Sequence, residues 1–193
     1  MTRRTRSVLL AATLGLLAAA ASIIGGVILS DDGPRYDGEF VLDQPGIFQE
    51  PVSGSNHDHT GATLPDVSLV DANNDAVSLT KYVGKPLVVN VWFSTCAPCR
   101  RELRDFATVQ AEVGDRVQFV GVDPFDSLEV MERFADERGV SYDLLRDPER
   151  TFSDEIGIVS YPVTLFVGAD GEVLRQTGEM DADDLRAAIA ELF

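Results

Sequence analysis

A strongly apolar run, Leu87-Val88-Val89-Asn90-Val91-Trp92-Phe93, leads straight into Cys96-Ala97-Pro98-Cys99 and then into a helical pattern. A run of this kind suits a strand buried on both faces, and so a sheet with helices on either side. The strand would end where a helix starts, and the first cysteine would cap that helix. Two sulfurs three residues apart can close a ring within one turn. Backbone N–H groups and the helix dipole at that end favour the thiolate, the form that attacks disulfides. Pro98 falls in the first turn, where its missing N–H costs nothing. These are the only two cysteines. A stapling bridge across so short a loop would stabilise little, and a zinc site needs four ligands. The pattern therefore points to dithiol–disulfide chemistry, with Cys96 attacking and Cys99, one turn in, resolving.

The N-terminus carries a second signal. Arg3, Arg4 and Arg6 precede Val8 to Leu29, an uncharged stretch long enough to cross a bilayer as a helix. The arginines place its N-terminal end in the cytoplasm. Everything after the stretch would then be extracytoplasmic, in an oxidising compartment where disulfide exchange is a natural task. Ala18 to Ser22 offers small residues to a signal peptidase, but the apolar run continues through Ile23, Ile24, Val27, Ile28 and Leu29. An uncleaved anchor over residues 1–30 is the expectation, on the cell membrane with a single pass. Beyond the three leading arginines, 13 Lys and Arg face 32 Asp and Glu. Such a surface repels nucleic acid and anionic lipid.

Residues 31–62 read as an extracytoplasmic linker, with Pro34, Pro45, Pro51, five glycines and no sustained apolar period. His57 and His59 fall here and read as loop residues, although their nitrogens could serve copper or zinc together with the thiols. Residues 63–193 alternate strand and helix patterns. Val67, Leu69, Val77 and Leu79 flank a turn at Asp71 to Asp75 and predict a hairpin. Helices are expected over Ala97 to Val113, Ser127 to Arg138, Glu149 to Ile156 and from Asp181 onward. Strands are expected at Val117 to Val122, Tyr142 to Leu145, Val163 to Val167 and Val173 to Gln176, the last two joined through Gly171. This order describes an α/β fold with a mixed sheet covered on both faces.

The segment Trp92-Phe93-Ser94-Thr95-Cys96-Ala97-Pro98-Cys99-Arg100 resembles the active-site segment of the thioredoxin superfamily. The likeness is greatest to the membrane-anchored TlpA/ResA-like thiol-disulfide oxidoreductases, and it runs from about Leu64 to the C-terminus. Leu64 to Leu69 resembles their first strand. The helix-containing insert between Val122 and Tyr142 fits that subgroup. The resemblance implies a thioredoxin-like fold with an N-terminal hairpin and a central helical insert. It also implies a cis Pro162 beside Cys96 in Tyr161-Pro162-Val163-Thr164-Leu165-Phe166, and a role for Glu102 in tuning thiol acidity. Glu102 lies three residues after Cys99 and shares a helix face with it. A carboxylate there can raise a thiol pKa and move a proton to Cys99; a surface glutamate paired with Arg101 or Arg104 is the plainer alternative. Asn90 stands where thioredoxin has a buried aspartate, and an amide cannot act as a base. Thr95 replaces an aromatic that usually precedes the first cysteine.

The expected function is thiol-disulfide exchange with protein cysteines, with no cofactor beyond the Cys96–Cys99 pair. The resemblance implies a reductant acting in cytochrome c maturation on apocytochrome c, supplied by a membrane dithiol donor. An oxidant of secreted proteins is one alternative and a copper-binding chaperone another. The copper reading lacks a histidine after Cys99. A peroxiredoxin-like peroxidase fails, because the positions of the peroxide-binding proline and threonine hold Val89 and Phe93.

Overall fold

The computed structural model describes residues 55–193. The expected anchor over 1–30 and the linker up to residue 54 lie outside them. Among the described residues, no helix is long and apolar enough to cross a membrane.

Seven strands form one sheet: β1 (Ser68–Val70), β2 (Ala76–Ser78), β3 (Leu87–Val91), β4 (Gln118–Asp123), β5 (Asp143–Arg146), β6 (Val163–Val167) and β7 (Val173–Thr177). Their spatial order is β2-β1-β5-β4-β3-β6-β7. β3 pairs parallel with β4, and β4 parallel with β5. β6 and β7 add antiparallel on one side, and the β1–β2 hairpin on the other. The sheet is mixed, as the sequence pattern predicts.

All five residues of β3 and of β6 are buried. Side chains alternate between faces, so each central strand feeds two cores. Val89, Val91, Val120, Val122, Val163 and Leu165 point to one, with Phe152 and Ile156 from the short helix α3 (Thr151–Glu155). Val88, Phe119 and Phe166 point to the other. That face is covered by α1 (Ala97–Val113) and α4 (Ala182–Leu192), with α2 (Leu128–Asp136) at its end. Gly121 is required where the α2 side crowds β4: a Cβ there would lie 2.7 Å from Leu144 and 2.8 Å from the Trp92 indole nitrogen. Gly171 takes φ 89° in the β6–β7 turn.

The boundary drawn at residue 62 is not where the fold begins. Residues 56–62 lie on the domain: Gly61 N–H donates to Val173 O, Val173 N–H to Ala62 O, and Leu64 N–H to Gly171 O, each at 2.8 Å. These bonds occupy backbone groups near the start of β7. They leave no trace in hydropathy, which is why the stretch reads as linker.

Candidate active site

Strand β3 ends at Val91, and Trp92 and Phe93 carry the chain into the turn before α1. The Asp126 carboxylate fixes this turn, accepting Ser94 N–H at 2.6 Å and Ser94 Oγ–H at 3.0 Å. Arg100 donates to Ser94 O from the first turn of α1. Cys96 follows as the N-cap. Its Sγ accepts the Cys99 N–H at 3.3 Å, so one of the orphan amides of the helix end points at the sulfur. Cys96 and Cys99 are joined as a disulfide, with Cα atoms 5.3 Å apart. Cys96 is 7% exposed and Cys99 fully buried. Cys96 is therefore the more exposed of the two sulfurs.

The Tyr161–Pro162 bond is cis, at the start of β6. Tyr161 and Phe93 pack against the cluster that contains both cysteines. The segment before Pro162 is held from far along the chain. Asn56 Oδ1 accepts Val159 N–H and Ser160 N–H at 2.8 Å each and Ser160 Oγ–H at 3.3 Å, while its Nδ2 donates to Ser160 O. Asn56 falls in the stretch that reads as linker, and one asparagine in a polar stretch carries no signal of this pairing. Asn56→Ala leaves two amides without their acceptor, a loss of about 2 kcal/mol. Hydrogen exchange should show Val159 and Ser160 amides unprotected while the β3 amides stay slow; equal protection in the variant would contradict the clamp.

Glu102 is not on the surface. It is 1% exposed, and Arg101 pairs instead with Glu179. The Glu102 carboxylate accepts Asn90 Nδ2–H at 2.9 Å and Met180 N–H at 3.1 Å. Asn90 also donates to Thr164 Oγ1 at 3.1 Å, tying β3, β6 and α1 together. Burial pushes the Glu102 carboxyl up to about 7, against the pull of these two hydrogen bonds. A group with that pKa exchanges its proton near neutrality. It sits one helical turn from Cys99, a separation of about 5–6 Å between Cβ atoms.

A second buried acid was not foreseen. Asp123, at the end of β4, is 1% exposed. Its Oδ1 accepts Phe125 N–H and Asp126 N–H, both at 2.9 Å. Burial pushes it up to about 7, with Asp126 beside it adding repulsion. Asp123 thus shapes the loop from which Asp126 holds the turn into Cys96. The histidines do not join the site. His57 and His59 meet edge to face with ring centroids 4.8 Å apart, and no group of three potential metal ligands occurs among the described residues.

Residues 60–176 match the profile of the AhpC/TSA family. The thioredoxin-like protein YneN of Bacillus subtilis is 30% identical over 117 residues, 58% of this chain and 68% of that protein. The thiol-disulfide oxidoreductase ResA of the same organism is 25% identical over 136 residues, 69% of this chain and 76% of its own. Among solved structures, MTB DsbF in its mixed oxidised and reduced forms superposes with a TM-score of 0.61. It is 26% identical, over 68% of this chain and all of that one.

Proposed function

From the premise that the chain belongs to the AhpC/TSA family and is a thiol-disulfide oxidoreductase of thioredoxin-like fold, we propose that it reduces disulfides in extracytoplasmic proteins. A membrane anchor over residues 1–30 would tether the domain. The Cys96 thiolate attacks a substrate disulfide, forming a mixed disulfide and releasing one substrate thiolate. Cys99 then attacks Cys96 Sγ, which closes the Cys96–Cys99 bond and frees the second substrate thiol. Two electrons pass from the dithiol to the substrate. A membrane dithiol protein restores them.

The observation that carries this reading is the buried Glu102 held by Asn90 one turn from Cys99. A proton acceptor there can take the Cys99 proton as it attacks and return it later. A carboxylate there also disfavours thiolate, so the dithiol readily gives up its electrons. Cytochrome c maturation, with apocytochrome c as substrate, is the role of this kind that the TlpA/ResA resemblance supports. A peroxidase role has no support from the site: Val89 is buried in the middle of β3 and Phe93 offers no hydroxyl.

Cys99→Ser removes the resolving thiol and should leave mixed disulfides with natural substrates in the cells that make this protein. Haem-attachment proteins of the CxxCH type are the expected catch. Recovery only of secreted proteins without such motifs would favour the oxidant role, and recovery of no protein would contradict exchange with proteins.

A further inference from the structure

Phe93, Phe125 and Tyr161 close a triangle of rings beside the disulfide. Their centroids are 4.9, 5.3 and 5.5 Å apart, and each pair meets edge to face. The three come from separate parts of the chain. Phe93 lies in the turn whose carbonyl accepts the Cys96 N–H at 3.2 Å. Tyr161 precedes the cis Pro162. Phe125 comes from the loop after β4 that Asp123 shapes. Arg150 locks the group from behind. It donates to Tyr161 Oη at 2.9 Å and to Asp154, and its guanidinium carbon stands 5.2 Å from the centre of the Phe125 ring.

This arrangement leaves apolar surface in water. Phe125 is 53% exposed and Val159, two residues before Tyr161, 50%; the other large exposed hydrophobics among the described residues are Val83 and Phe193. Phe93 and Tyr161 pack against the cluster that holds Cys96 and Cys99, which places the ring platform at the edge of the redox site. A mixed disulfide at Cys96 fixes a substrate chain on this surface. An extended chain advances about 3.3 Å per residue, so the side chains next to its cysteine fall within reach of rings spaced as these are. Rigid rings held by stacking and a clamped guanidinium lose little entropy on contact.

We propose that the Phe93–Phe125–Tyr161 platform, clamped by Arg150, docks an aromatic or large aliphatic side chain flanking the reacting cysteine of an extended polypeptide. The platform takes the place of the rim aromatic that Thr95 lacks, and supplies it from the loop after β4. The proposal rests on the exchange reading and names the substrate class of that site.

The test compares two disulfide-linked peptides, differing only in Phe or Ser beside the cysteine, as substrates of the reduced full-length chain in detergent. The full-length chain should favour the Phe peptide by about tenfold in kcat/KM, the discrimination that partial burial of one ring supports. Phe125→Ser should erase the preference and Phe125→Leu keep most of it. Equal rates for the two peptides, or an unchanged preference in both variants, overturn the proposal and leave exchange standing. Failure of both peptides to react overturns the exchange reading and the platform with it. A dimer that Phe125→Ser dissolves, with peptide preference unaltered, overturns the proposal in favour of a second copy as the occupant.

Discussion

Cys96→Ser should lower the rate of insulin-disulfide reduction to the uncatalysed background, a loss of three or more orders of magnitude, on the order of what removing a nucleophile costs. Cys96 is the sulfur with exposed surface, and Cys99 has none. Cys96 also receives the Cys99 N–H at the start of a 17-residue helix, where the dipole favours the attacking thiolate. Serine in its place keeps a cap, so the fold should survive and the loss should be chemical. Retention of more than a tenth of the activity would mean that Cys99 attacks directly, which its burial forbids.

Glu102→Gln should change the response of both stability and thiol chemistry to pH. In the folded protein, burial lifts the Glu102 carboxyl from its ordinary 4.5 to about 7. Between those values the folded state binds a proton that the unfolded chain has lost. Stability therefore falls as pH rises from 4.5 to 7, by a total of ~3 kcal/mol from this group, and stays low above 7. Asp123, lifted from 3.8 to about 7, acts in the same direction. Glu102→Gln should remove its own share of the slope and leave that of Asp123. Denaturant midpoints measured across pH 4 to 8 test this; a slope as steep as that of the unaltered protein would mean that Glu102 does not titrate there. In the same variant the Cys99 thiol should titrate lower, because a nearby negative charge is gone. An unchanged thiol titration would remove Glu102 from the mechanism.

The helices are legible because their apolar positions recur at helical spacing. β3 reads instead as an apolar run and is buried along its length, as is β6. Ala97–Val113 is bounded by a Cys cap and Gly114 at φ 56°, both visible as residue types. The cysteine pair is legible from its place, at the end of an apolar run and the start of a helical pattern. Glu102 was ambiguous: spacing placed it beside Cys99, but only the packing of Asn90 and Met180 around it shows it buried. Asn56, Asp123 and Phe125 were not legible. Each acts through a partner distant in sequence or through a loop geometry, and polar or loop composition says nothing about such pairing. Thr95 reads as a departure from the family pattern, while the three rings gathered beside the site come from segments that no local pattern connects.

The proposed reductase role requires a dithiol that gives up its electrons readily. The reduction potential of the Cys96–Cys99 pair, equilibrated against dithiothreitol and glutathione, tests it most directly. A buried acid one turn from Cys99 and no cationic residue between the cysteines predict a value near or below that of thioredoxin, roughly −270 mV. A value close to about −120 mV would mark a stabilised thiolate and a disulfide that readily accepts electrons, and would contradict the account.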